Sequence, residues 1–446
     1  MPSVELFCAL CGEMQFASLG FYRTLCLPES MTTLKKIDAI APPDGSMGAP
    51  NGVQAVSPPG RRRLPALDGL RGTAILAVLT CHYSALLPRT HGLAGFLEGG
   101  WIGVDLFFVL SGFLITGILF DARGMPHYFR NFYARRILRI FPLYYAFLVL
   151  LIVVLSTVPP TFLARIGSSS NPDSQLLWNA QPWLWTHTGN YWMAMQGTWT
   201  AWTEMIIPLW SLSVEEQFYL LWPLVLFSFS HRGLIRICAG VMICVLALRL
   251  LLTASGVNWF TLYVLTPTRA DSLAAGALLA LLIRLPDGER FVRKLSKYAG
   301  PAAGVLVLAL SAGMDPIHHP WLRNFFYSAL AVFFAVLLFW SIDPHLLFGI
   351  PKRFYENRVL RTIGGYSYGI YIVHLPLMYF SEAAASHWGL YDPKDATWSA
   401  ALALIAFNAI LASSIALASF HLYEKQFLKM KRHFPENAGM ASLGSS

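Results

Sequence analysis

Charge is what this chain has least of. Asp, Glu, Lys and Arg make up 13% of its 446 residues, about half the quarter usual in soluble domains, while 55% of the residues are hydrophobic. Too few polar side chains remain to cover a water-exposed globule, so a soluble fold is excluded and lipid is the expected solvent. Cysteine is scarce as well. Cys8, Cys11 and Cys26 precede the first long apolar run, and Cys81, Cys238 and Cys244 lie within apolar runs. None falls in the segments assigned below to the outer face, so no structural disulfide is expected. The Cys8/Cys11 spacing has neither a second pair nor a nearby histidine, so no metal site is expected. The chain also lacks a G-x-S-x-G elbow, which disfavours a serine nucleophile.

What the chain has in quantity is apolar sequence in long runs. A helix crossing the hydrocarbon core needs roughly 20 mostly apolar residues. Ten runs qualify, near 66–87, 101–120, 137–158, 215–230, 235–255, 261–283, 299–314, 324–341, 364–385 and 398–420. The net charge of +9 is then a matter of topology, not of nucleic acid. Alternate connections within 61–63, 123–139, 232–236, 284–297, 352–361 and 425–432 hold 23 Lys and Arg, and the others hold only Arg89, Arg165, Arg323 and Lys394. The basic side stays cytoplasmic, which places both termini inside. The expected fold is an all-α bundle of about ten transmembrane helices in the cytoplasmic or inner membrane. Residues 1–60 read as a disordered Pro/Gly/Ala-rich tail, with Met31 or Met47 as alternative starts. Residues 61–424 form the membrane domain, and 425–446 a basic cytoplasmic tail with no soluble domain.

An ionisable side chain at bilayer depth costs about 2.5–3.5 kcal/mol on insertion scales, so each one is a functional candidate. In LPALDGLRGTAILAVLTCHY, Arg71 and His82 are separated by about three helical turns, which puts them on one face roughly 16 Å apart. That spacing suits a long ligand whose anionic end is held by Arg71 and whose reactive end meets His82. Snorkelling of Arg71 to headgroups and an interhelical hydrogen bond from His82 are the plainer readings. Asp105 enters the second span from outside at a depth suited to orienting the imidazole. Glu215 and Glu216 begin the fourth span, one as a base or orienting partner and the other as a helix cap. They stand about 100° apart, so only one is expected to face the interior. Arg136 and Arg139, flanked by Arg135, share a face at the entrance to the third span and suit phosphate, or else anchor the positive side. Arg269 and Asp271 are expected to pair, and His374 either to line the same cavity or to make an interhelical hydrogen bond. Seven of the fourteen tryptophans, among them Trp199, Trp202 and Trp210, fall in the long outward segment 159–214. They read as an aromatic belt or as a stacking platform for a ring-bearing acceptor.

Six segments in order carry a resemblance: LDGLRG with its histidine after ten intervening residues, GVDLFFVLSGFLI, RRILRIFPLYY, SLSVEEQFYLLWP, RADSLAAGALLA and SYGIYIVHLP. From about Leu64 to Glu424 the chain resembles the acyltransferase 3 family of polytopic membrane O-acyltransferases. The resemblance implies transfer of an acyl group, commonly acetyl, from cytoplasmic acyl-coenzyme A (acyl-CoA) to a hydroxyl of an extracytoplasmic carbohydrate. Acceptors in the family include surface polysaccharides, peptidoglycan sugars and macrolides. The family's first-helix arginine and histidine match Arg71 and His82, and its third-helix arginines match Arg136 and Arg139. Some relatives carry a C-terminal hydrolase-like domain, and its expected absence here favours direct transfer or a separate partner. On this reading His82 acts as general base toward the acceptor hydroxyl or itself carries the acyl group. A transporter using the buried charges as a substrate or proton path is the alternative of a different class. Acceptor identity, acyl length and self-association stay open.

Overall fold

The protein is described by a computed structural model over residues 64–88, 93–157, 174–198, 201–312 and 319–435. The expectations for the tail 1–60, for Arg61 to Arg63, Arg89 and Arg165, and for Trp199 and 436–446 lie outside those residues. Every regular element among the described residues is helical. The main helices are α1 (Pro65–Tyr83), α2 (Gly103–Asp121), α3 (Tyr128–Thr157), α4 (Ser174–Trp185), α5 (Gly189–Gln196), α6 (Leu209–Ser228) and α7 (His231–Ala254). They continue as α8 (Trp259–Val264), α9 (Ala270–Leu282), α10 (Gly288–Ala312), α11 (Pro320–Ile342), α12 (Arg358–His387) and α13 (Trp398–Ser419). A π-helical turn, Phe420–Glu424, follows α13.

Five segments are long and apolar enough to cross a membrane: Phe96–Asp121, Tyr128–Val154, His231–Ala254, Pro320–Ile342 and Trp398–His433. The protein is a multi-pass membrane protein. Helices α1, α6, α10 and α12 cover four more of the expected spans without reaching that mark. Two of them, α1 and α6, carry Asp68, Arg71 and His82, and Glu215, Glu216 and Gln217.

The expected span 261–283 is not one helix. It breaks between α8 and α9, where Pro267 sits in a three-residue 3-10 turn and cannot donate to a helical ladder. Backbone freed by the break must find partners within the protein, because lipid offers none. Arg249 Nη1 donates to the Thr268 carbonyl at 2.7 Å. The Thr268 hydroxyl donates to the Leu262 carbonyl at 2.7 Å and to that of Leu265 at 2.8 Å. Asn190 Nδ2 reaches the Val264 carbonyl at 3.2 Å.

The break also settles the buried charges differently from expectation. Residues two apart on a helix do not face each other, and Arg269 does not pair with Asp271. Arg269 instead reaches across to α2, its Nη2 2.6 Å from Asp105 Oδ1, which also accepts from Ser272 Oγ at 3.0 Å. Asp271 pairs with Arg249 of α7 at 2.6 Å. The Arg269 guanidinium lies 4.3 Å over the Tyr327 ring of α11. These two buried pairs tie α9 to α2 and α7.

Apolar area drives little helix association in lipid, so close approach and polar contacts do the work. Two glycine contacts set the frame for the site. A Cβ at Gly364 of α12 would strike the Asp68 carbonyl of α1, and one at Gly72 would strike the Leu360 carbonyl. Helices α2 and α9 cross in the same backbone-to-backbone manner, Gly112 against Leu273 and Gly276 against Val109.

Candidate active site

Helices α1, α2, α3, α6 and α12 enclose a cavity of about 90 Å³, lined among others by Arg71, Arg136, Arg139, Glu215, Glu216 and Tyr219. Each charged group arrives from a different register. Helix α3 starts at Tyr128, ahead of the expected edge near 137, so Arg136 and Arg139 lie inside the helix. The Arg136 guanidinium stands 5.8 Å from the centroids of both the Phe132 and Tyr219 rings. Arg71 keeps 27% of its side chain exposed and lies 3.9 Å from Asp68 Oδ1. Arg135, by contrast, is turned toward the C-terminal segment, donating to the carbonyls of Lys431 and Phe434 at 3.3 and 3.0 Å.

Helix α6 begins at Leu209 with Pro208 as its cap residue. Glu215 therefore sits about 9 Å down the helix, and neither glutamate caps it. Both line the cavity, although at most one is expected to face inward squarely. Glu215 is fixed at both oxygens, Oε1 accepting from Ser111 Oγ at 2.9 Å and Oε2 from the Tyr219 hydroxyl at 2.6 Å. Ser111 and Tyr219 were not singled out from sequence. Tyr219 stands one helical turn after Glu215, a spacing that brings such side chains together.

The cavity stops short of the histidines. At the end nearest them Tyr371 hydrogen-bonds Ser211, hydroxyl to hydroxyl, at 2.6 Å. The Tyr371 ring lies 6.0 Å from Phe107 on the cavity side and 5.8 Å from His374 on the other. His374 is fully buried and is not a wall of the cavity. Its Nε2 lies 2.8 Å from His82 Nδ1, and its Nδ1 lies 2.7 Å from the Tyr371 carbonyl. His82 is half-buried at the end of α1. Arg71 and His82 thus do not share one open conduit in this conformation, because the Tyr371–Ser211 contact stands between them. Asp105, committed to Arg269 and Ser272, makes no hydrogen bond to His82.

The tryptophans divide. Trp210 is buried, its ring 5.9 Å from Phe108 and 4.8 Å from Tyr263, so it is core and not an exposed platform. Trp178 and Trp185 are exposed, and Trp185 stacks on Tyr145 at 5.3 Å. The side chain of Trp202 lies outside the described residues. Between α4 and α5, His187 adopts φ of 54° and is buried against Phe141 and Tyr144. Neither ring nitrogen has a partner among the described residues, and burial pushes its imidazole down to about 4. No group of three His, Cys, Asp or Glu side chains among the described residues is arranged to hold a metal ion.

Curated relatives include the putative peptidoglycan O-acetyltransferase YrhL of Bacillus subtilis, 28% identical over 82% of this chain and 55% of its own. The peptidoglycan O-acetyltransferase OatA of Listeria monocytogenes is 27% identical over 71% of this chain and 50% of its own. The O-acetyltransferase OatA of Staphylococcus aureus is 29% identical over 72% and 51%. The chain spans about half the length of these relatives. No solved structure matches. The Acyl_transf_3 family model, described as an acyltransferase domain, matches residues 64–418. With most of its length inside that match, the chain belongs to the acyltransferase 3 family.

Proposed function

We propose that the protein is a membrane O-acyltransferase that moves an acetyl group from cytoplasmic acyl-CoA to a hydroxyl of an extracytoplasmic glycan. The relatives' names point to peptidoglycan as the acceptor class. In this reading the helices form a ten-span bundle in the cytoplasmic membrane with both termini inside. The observation that carries it is the convergence of Arg71, Arg136 and Arg139 on one cavity within the helices. Three guanidinium groups around one space are costly in a bilayer and match the phosphates and carbonyls of an acyl-CoA.

Arg136 and Arg139 hold the donor's phosphates, and Arg71 draws the pantetheine arm along α1. Glu215, anchored by Ser111 and Tyr219, keeps Arg71 and Arg136 directed into the cavity instead of toward headgroups. A cavity of about 90 Å³ has room for roughly half a dozen waters. The Tyr371–Ser211 contact must part for the thioester to reach His82. There His82 takes the proton of the acceptor hydroxyl as its oxygen attacks the thioester carbon, and the departing thiolate recovers that proton.

Membranes containing the protein, given radiolabelled acetyl-CoA and cell-wall glycan, are expected to place the label on glycan as an alkali-labile ester. Label transfer that is equal with and without the chain would refute the reading.

A further inference from the structure

Resting on the base role of His82, we propose that His374 is a positioning residue that fixes the tautomer of His82 and turns its Nε2 lone pair toward the acceptor. The Tyr371 carbonyl can only accept, so His374 Nδ1, 2.7 Å away, carries a hydrogen. In the neutral ring His374 Nε2 then holds a lone pair. That nitrogen lies 2.8 Å from His82 Nδ1, and one proton serves the contact. The proton belongs to His82 Nδ1, which leaves the lone pair of His82 on Nε2.

The ring geometry agrees. The two centroids are 5.0 Å apart with 27° between the planes, the near-coplanar, head-on meeting that an N–H···N bond needs. His374 is fully buried and its backbone sits mid-helix in α12, so it has little freedom to turn away. His82 keeps part of its surface open, and its Nε2 has no hydrogen-bond partner among the described residues. Asp105 does not perform this service, since it is bound to Arg269.

During transfer the acceptor O–H bond breaks and its proton moves to His82 Nε2. The new O–C bond forms, the C–S bond breaks, and the thiolate takes the proton back. While His82 is an imidazolium, its Nδ1–H bond to His374 becomes charge-assisted and stronger. His374 therefore stabilises the transition state more than the ground state, and its loss lowers kcat and leaves donor KM in place.

The test compares His374→Phe, which keeps a ring but removes the acceptor, with His374→Gln, whose amide oxygen can accept from His82. In the label-transfer assay, per folded protein, His374→Phe is expected to lower kcat by about 10²-fold or more with donor KM unchanged. His374→Gln should recover most of that loss. Nitrogen NMR of the histidine-labelled wild-type protein gives a reading independent of variant folding. The signals lost in His82→Gln should show a protonated Nδ1 and a bare Nε2. Wild-type kcat in His374→Phe, equal loss in Phe and Gln variants, or an Nε2-protonated His82 would overturn the assignment. Full transfer by His82→Ala would instead overturn the base reading on which it rests.

Discussion

Replacing Asp105 by leucine separates a structural from a chemical role for that carboxylate. Asp105 is 0% and Arg269 1% exposed, so removing either strands a charge away from solvent. Breaking a buried pair in this way costs about 3–5 kcal/mol. The pair itself is imperfect: Asp105 Oδ2 and Arg269 Nε and Nη1 have no hydrogen-bond partner among the described residues. An incompletely satisfied pair recovers less of its desolvation cost, so removing both charges together should be close to neutral. The Arg269–Tyr327 contact adds about 0.5–2 kcal/mol that the double variant forfeits. Asp105→Leu and Arg269→Met should therefore each lower stability in detergent by roughly 3–5 kcal/mol. The double variant should lose less than either single one, a coupling thermal or denaturant unfolding can read. Asp105→Leu of wild-type stability but without transfer would refute this reasoning and return Asp105 to the chemistry.

Neighbouring glycines of α12 make a paired test of helix packing. Gly364→Ala drives a methyl into the Asp68 carbonyl, whereas a Cβ at Gly365 meets nothing within 4 Å. Unfolding should show a loss of about 1–3 kcal/mol for the first and none for the second. His187 offers a pH test, because its folded form resists protonation down to about 4 while the unfolded chain protonates near 6.5. Its stabilisation is complete above the unfolded value and is lost as pH falls through that window, by at most about 3 kcal/mol. His187→Phe should flatten the dependence of unfolding on pH between those limits, and an unchanged slope would contradict the assignment. Ser211→Ala removes one hydrogen bond from the contact that closes the cavity. A net loss of about 1 kcal/mol predicts roughly fivefold faster hydrolysis of acetyl-CoA without acceptor, and an unchanged rate would argue against a gate there.

Local pattern carried the helices and most cavity residues into view. Arg71, Arg136, Arg139, Glu215 and Glu216 stand out because charge in an apolar run is costly, and all five line one cavity. Their depth was harder to read. It depends on where a helix starts, and the signal at Pro208, the cap residue of α6, places Glu215 deeper than the apolar run suggested. Pro267 likewise marked the break in the expected sixth span. Pairings were the least legible part. His82 meets a histidine 292 residues away, and Asp105 an arginine 164 residues away. Helical periodicity gives the face of a residue and not the neighbour that faces it, so sequence offers Asp105 as one candidate partner for His82 and does not show its bond to Arg269. Trp210 failed for a related reason: composition places tryptophans in an outward segment without showing which of them turn inward.

The arginine cavity is tested most directly by donor dependence in the label-transfer assay, using Arg136→Gln and Arg139→Gln beside Arg135→Gln, whose guanidinium is turned to the C-terminal segment. The first two should raise KM for acetyl-CoA by about tenfold or more each, the loss of one charge-assisted contact of about 1.5–3 kcal/mol, while Arg135→Gln moves it far less. Equal, small effects from all three would contradict a donor site in that cavity.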